Sequence, residues 1–175
     1  MIRILLFGVP GSGKGTQARR LEQRFGYRHI STGDLIRTEV NEGTPLGKQV
    51  EPILARGGYI DDAVMVEMVR QRVERADISN GYVLDGFPLA LPQARSLSSL
   101  KVSREIPILL DIPDEEMVVK RILSRVTCTN CGAVYSLEVS PPLEVGQCDN
   151  CGKLLIRRDD DSEAAIRGEQ NASFR

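Results

Sequence analysis

Apolar residues run almost unbroken from Ile2 to Phe7, the pattern of a strand buried on both faces of a parallel sheet. Glycines crowd residues 8–15, and from Thr16 to Phe25 the period changes. Ala18, Leu21 and Phe25 recur at helical spacing, while Arg19, Arg20, Glu22 and Arg24 fill the outside. That predicts an amphipathic helix. Tyr27 to Ile30 reads as a short second strand. Ser31-Thr32-Gly33-Asp34 is a turn with N-cap chemistry, opening a helix through Leu35 and Val40.

A helical stretch from Gly47 to Ala55 ends in the punctuation Gly57-Gly58. Asp61-Asp62 caps a helix that carries Val64, Met68, Val69 and Val73 on one side. Tyr82 to Asp85 is a strand ending in an acid, followed by the turn Gly86-Phe87-Pro88. Pro92 to Leu100 reads as a short helix and Ile106 to Ile112 as another buried strand. Pro113-Asp114-Glu115 starts a helix running to about Arg125. From Val126 to Arg157, cysteines, glycines and a Pro141-Pro142 step replace helical periodicity, so this stretch reads as an inserted subdomain. A polar helix begins at Asp160. Strands alternating with crossover helices imply a parallel, doubly wound α/β sheet.

Composition narrows the class without naming a task. A chain of 175 residues, 41% hydrophobic and 27% charged, fits one α/β domain with small insertions. A net charge of −1 gives no support for a whole-protein attraction to nucleic acid or membrane. No apolar run approaches a membrane span, and residues 1–7 are too short for a secretory core. A cytoplasmic protein is expected, with anion binding confined to local clusters.

The first such cluster is Gly8-Val9-Pro10-Gly11-Ser12-Gly13-Lys14-Gly15-Thr16. A loop of this kind between strand and helix wraps backbone N–H groups around phosphates, because glycine permits the necessary φ/ψ values and a close approach. Lys14 adds a mobile positive charge, the helix dipole adds more, and Thr16 places a hydroxyl for phosphate or magnesium-bound water. The general P-loop formula has Ser or Thr directly after the lysine; here Gly15 intervenes. The competing reading is a glycine-rich turn with a surface lysine.

The second cluster holds all four cysteines, in Cys128-Thr-Asn-Cys131 and Cys148-Asp-Asn-Cys151, each pair followed by glycine. Four thiolates from two Cys-x-x-Cys knuckles suit tetrahedral Zn²⁺, leaving no open position, so the metal reads as structural. Two disulfides or an iron cluster are the alternatives.

Five ordered segments resemble the adenylate kinases, of the nucleoside monophosphate kinase family: Gly8 to Gln17, Ser31 to Arg37, Asp85-Gly86-Phe87-Pro88 with Gln93, Arg121 with Arg125, and Arg158 to Asp161. The resemblance implies a P-loop three-layer sandwich with a parallel sheet. Its core would be residues 1–30, 62–123 and 162–175, with a helical nucleotide-binding flap at 31–61 and a zinc-binding lid at 124–161. It implies ATP, AMP and ADP as partners, magnesium carried with ATP, and a monomer. ATP would meet Gly11, Ser12, Gly13, Lys14, Gly15, Thr16, Arg121, Arg125, Val134 and Tyr135. AMP would meet Thr32, Arg37, Gly58, Tyr59, Ile60, Gly86, Phe87, Gln93 and Arg158. Lys14, Arg125, Arg158 and Asp85 would carry the catalysis, Asp85 by orienting magnesium through water. Phosphoryl transfer needs alignment and positive charge rather than a general base. The only histidine, His29, therefore reads as a strand-end residue.

Three departures from the family pattern define an alternative. Leu89 follows Gly-Phe-Pro where the family has a phosphate-binding arginine, and leucine offers neither charge nor a hydrogen-bond fork. Glu169 occupies the place of a second lid-side arginine, while Arg167 would point about 200° away on a helix. The sequence stops at Arg175, where the family continues through an edge strand and a final helix. The alternative is a weakly active or inactive nucleotide- and zinc-binding relative. A kinase for another monophosphate, with Leu89 marking an altered acceptor site, is the third reading.

Overall fold

Ile2–Phe7 becomes β1, an interior strand of a four-stranded parallel sheet in the order β2-β3-β1-β4. The computed structural model describes residues 1–55, 58, 60–158 and 161. After β1 come α1 (Lys14–Phe25), β2 (Arg28–Ser31), α2 (Thr32–Asn41), α3 (Pro45–Ala55), α4 (Asp62–Val73), β3 (Gly81–Asp85), α5 (Leu91–Ser98) and β4 (Arg104–Leu109). Then follow α6 (Glu115–Leu123), β5 (Arg125–Cys128), β6 (Val134–Ser136) and β7 (Leu155–Ile156). Contacts divide the chain into two units, one of residues 1–7 and 14–109, the other of residues 8–13 with the chain from Leu110 onward.

In the first unit the pleat of the sheet sorts side chains to two faces. Leu5, Ile30, Tyr82 and Leu84 join Val50, Met65, Met68, Val69 and Leu97 in one core that collects α3, α4 and α5. On the other pleat Ile4, Leu6 and Val83 are buried, and α1 packs on β1, β2 and β3 with Ala18 fully enclosed. Helices therefore flank this sheet on both sides, as the α/β reading expected. Charge also enters this core. Arg3 is 4% exposed, and its guanidinium donates to Glu105 Oε2 at 2.6 Å and to the carbonyls of Leu97 and Leu100 at 3.0 and 3.1 Å. A buried cation persists because its protons are matched in this way.

Caps fall where the polar residues promised them. Ser31 Oγ accepts the Asp34 N–H at 3.2 Å, Asp61 accepts that of Ala63 at 2.8 Å, and Asp114 accepts those of Glu116 and Met117. Two expectations need correction. The strand read at Ile106 to Ile112 runs from Arg104 to Leu109, and it is an edge rather than a buried element. It pairs only with β1 among the described residues, which leaves Leu109 69% exposed. The helix expected to reach Arg125 ends at Leu123. Ser124 caps it, its N–H bonded to Lys120 O at 3.0 Å, and Arg125 begins β5 by pairing with Ser136.

In the second unit Val118 and Ile122 of α6 are buried against Val9 and Ile112. Beyond α6, β5 lies between antiparallel β6 and β7, so the inserted subdomain is a small three-stranded sheet. No described helix is long and apolar enough to cross a membrane.

Helices α2 and α3 meet where Gly47 is buried, its N–H bonded to Thr44 Oγ1 at 2.9 Å. A Cβ there would overlap the Glu39 carbonyl. Gly47→Ala is expected to lower stability by about 3 kcal/mol through overpacking, read as a drop in the urea midpoint; an unchanged midpoint would refute this packing.

Candidate active site

The carboxyl ends of the parallel strands place the polar residues of the first unit. Leu6 pairs with Asp85, and Ser31 pairs with the same residue from the other side, so three strand ends stand abreast. In open α/β sheets this edge is the ligand crevice. Helix α1 begins there at Lys14, with no acidic residue in its first turn. Its leading N–H groups have no intrahelical acceptor and give the helix end partial positive charge. A Cβ on Gly15 would stand 3.4 Å from Asp85 Oδ2, so the carboxylate lies directly against that first turn.

Thr32, 6% exposed at the start of α2, donates its hydroxyl proton to Gly86 O at 3.0 Å. Arg37, one turn on, pairs with Asp34 at 2.6 Å. Its guanidinium lies 3.1 Å from where a Cβ on Gly33 would be, so glycine makes room for it. Gln93 is 1% exposed, accepting the Leu89 N–H at 2.8 Å and donating to Asp62 at 2.6 Å. Ile60 and Phe87 are core side chains, 6% and 2% exposed, while Leu89 is 68% exposed.

In the second unit the loop Gly8 to Gly13 turns on a Ser12 N–H to Val9 O bond of 3.1 Å. Gly8 has φ 142°, and a Cβ on it would stand 2.5 Å from Leu110 O and 2.7 Å from Ser12 Oγ. Only glycine fits both demands. Gly11 backs onto Ile122 of α6, and Arg121 lies in the last turn of that helix.

The three-stranded sheet of the second unit separates its chemistry by face. Arg125 and Thr127, two apart on β5, project to one side. Arg125 forms a two-pronged ion pair with Asp161, and Arg158 donates to Thr127 Oγ1 at 3.1 Å. Val134 pairs with Thr127 and shares this face. Val126 and Cys128 project to the other side, where they form a core with Ala133, Cys148 and Leu155. Tyr135, opposite Val126, belongs to that side: its hydroxyl is 3.5 Å from Cys148 Sγ and accepts the Asp149 N–H at 3.0 Å.

The four sulfurs lie within 4.8 Å of one another, the shortest separations being 3.4 Å for Cys128–Cys151 and 3.5 Å for Cys131–Cys148. Tetrahedral zinc thiolates are about 3.8 Å apart, from a Zn–S bond of about 2.3 Å, so the cage suits such an ion. None of the four cysteines is disulfide-bonded in this structure, and sulfur separations of 3.4 and 3.5 Å suit a shared ion better than two S–S bonds. Each knuckle is closed by a glycine N–H on the first cysteine's carbonyl, at 3.1 Å for Gly132 and 2.7 Å for Gly152. Charge is shared unevenly among the sulfurs. Burial pushes Cys131 up to about 12. Burial opposes ionisation at Cys148 too, but hydrogen bonds from Tyr135 and the Asn150 backbone outweigh it and bring that thiol down to about 6. Sulfurs this close resist sharing several negative charges unless a cation joins them.

A family model described as adenylate kinase matches residues 6–171. The chain belongs to the adenylate kinase family. It is 42% identical over 170 residues to the adenylate kinase of Archaeoglobus fulgidus, covering 95% of this chain and 78% of that one. The adenylate kinase of Petrotoga mobilis is 45% identical over 170 residues, covering 95% and 77%, and that of Thermodesulfovibrio yellowstonii is 42% identical, covering 95% and 79%.

The residues that carried the adenylate kinase resemblance fall into two sets. Lys14, Gly15, Thr16, Thr32, Arg37, Gly58, Ile60, Asp85, Gly86, Phe87 and Gln93 belong to the first unit. Gly11, Ser12, Gly13, Arg121, Arg125, Val134, Tyr135, Arg158 and the four cysteines belong to the second. Tyr59, Asp159, Asp160, Glu163, Arg167 and Glu169 lie outside the described residues, as does the rest of segment 162–175. Sequence reasoning missed His29. It sits on β2 with its side chain 9% exposed and its Nε2 3.5 Å from Asp85 Oδ2. The available signal was its place one residue before the Ile30-Ser31 strand end, which register sets beside the end of β3.

Gln93 satisfies two groups at once, so Gln93→Leu should leave the Leu89 N–H and Asp62 without their partner. A loss of about 1–3 kcal/mol is expected in chemical denaturation. Full stability would show that these bonds contribute nothing.

Proposed function

We propose that this chain catalyses reversible phosphoryl transfer from Mg-ATP to AMP, giving two ADP. One observation carries the reading: a family-type phosphate loop leads into a helix whose first turn abuts the Asp85 carboxylate at the strand ends. Membership of the adenylate kinase family supports it. Gly11, Ser12, Gly13, Gly15 and Thr16 offer backbone and hydroxyl donors to the ATP phosphates, and Lys14 neutralises charge on the transferred group. Asp85 orients the hydration shell of the magnesium that ATP brings. That ion, when bound, neutralises charge on the phosphate oxygens.

On the acceptor side, Thr32 and Arg37 hold AMP, with Arg37 toward its phosphate. Gly58 to Ile60 and Gly86-Phe87 border the base, and Gln93 reads its edge. Arg121, Val134 and the backbone of Tyr135, whose hydroxyl stays with Cys148, attend the ATP base and ribose, while Arg125 and Arg158 supply positive charge for the equatorial oxygens in transfer. The functional division follows: residues 1–30, 62–123 and 162–175 as core, 31–61 as flap and 124–161 as lid. Cys128, Cys131, Cys148 and Cys151 hold a structural Zn²⁺. The protein acts as a cytoplasmic monomer. No observation favours the weakened alternative, and Leu89 makes acceptor affinity its informative variable.

Two measurements test this. ADP formation from ATP should require AMP, and Lys14→Met should lower kcat/KM by about 10²–10³-fold, the scale of losing one charge-stabilising donor; ATP binding without AMP-dependent turnover would refute the kinase reading. Purified protein should carry one zinc per chain. Chelation or Cys128→Ser should remove it and lower Tm, whereas a metal-free protein with unaltered Tm under chelator would end the structural-zinc reading.

A further inference from the structure

His29 has no task in the mechanism above, yet its surroundings are specific. Its main-chain N–H donates to Glu22 Oε1 at 3.2 Å, tying β2 to α1. Its ring is turned inward, and Nε2 is buried without a hydrogen-bond partner among the described residues. The carboxylate of Asp85, 14% exposed, lies 3.5 Å away through Oδ2. The first turn of α1 faces the same oxygen, since a Cβ on Gly15 would be 3.4 Å from it.

A buried ring nitrogen with no partner is disfavoured, because it has lost water and gained nothing. The neutral imidazole protonated on Nε2 resolves this by donating to the carboxylate, and a donor–carboxylate bond is stronger than a neutral one. The remaining step is a movement of about 0.7 Å, from the 3.5 Å separation to a bond of about 2.8 Å. Carboxylates that serve metals, directly or through water, are commonly oriented by such a partner.

We propose that His29 Nε2–H donates to Asp85 Oδ2 and fixes the carboxylate that would orient the water shell of the ATP-bound magnesium. His29 is thus a positioning residue. This rests on the role given to Asp85 above.

Two arms test it. In the zinc-loaded protein free of magnesium and nucleotide, ¹⁵N spectra of the imidazole should show the Nε2–H tautomer, with an Nε2 signal that moves in Asp85→Asn. In turnover, folded His29→Ala should need about ten-fold more Mg²⁺ for half-maximal ADP formation, the lower end of what such partners contribute, with KM for AMP unchanged. His29→Gln, which retains a donor, should recover most of that loss, and serves alone if the alanine variant does not fold. An Nδ1–H tautomer, or an Nε2 signal indifferent to Asp85→Asn, overturns the contact. An unchanged magnesium requirement overturns the positioning role. A wild-type chain that makes no ADP fails the kinase reading instead, and the spectra still decide the contact.

Discussion

Parallel pairing of β1 with β3 is the constraint on which the rest of the first unit depends. Because both strands run the same way, their carboxyl ends finish together, and register brings Asp85 level with Leu6 and Ser31. Every polar residue of interest in this unit follows from that alignment: α1 starts just past one strand end, α2 begins at another, and Gly86 turns away from the third. A slip of one residue would turn Asp85 to the opposite face. The apolar run at residues 2–7 does more than fill a core, since its burial on both faces locks the register that assembles the charged edge.

The second unit solves a different problem. Its three short strands enclose few apolar side chains, too few to order a subdomain by burial alone. Four sulfurs gathered from two ends of the segment would, with the zinc proposed above, take over the cross-linking role of a core. Tyr135 supports them: burial and then the adjacent Cys148 sulfur push its hydroxyl up to about 12, so it remains a donor to sulfur. The same β5 that presents Cys128 inward presents Arg125 and Thr127 outward. One strand thereby couples the rigidity of the cysteine cluster to the placement of the arginines.

Much of this was legible in the residues. Helix starts at Ser31, Asp61 and Asp114 were written in capping chemistry, and the cysteine knuckles in their spacing. The phosphate loop was equally plain, because Gly8, Gly11 and Gly13 adopt positive φ, a demand of the local backbone that glycine meets. Less legible were features set by long-range pairing. Arg3 interrupts an apolar run, and only its distant partners Glu105, Leu97 and Leu100 explain its burial. Gln93 read as a base-recognising side chain, but its depth depends on Asp62, far away in sequence. The edge position of β4 depends on which strands pair, and the change from helix to strand at Arg125 on the Ser136 partner. His29 read only as a strand-end residue, because its further contact is with a cross-strand neighbour.

The lid arginines carry one more implication. Arg125 already has Asp161, and Arg158 already has Thr127, so on the function proposed above an arriving phosphate exchanges partners with residues already in place instead of meeting bare cations. Affinity gained by such an exchange is a small difference between two strong attractions. A catalyst proposed to run in both directions benefits from that arrangement at Arg125, because the charge that would grip a nucleotide has the Asp161 carboxylate waiting as counter-charge when the nucleotide departs.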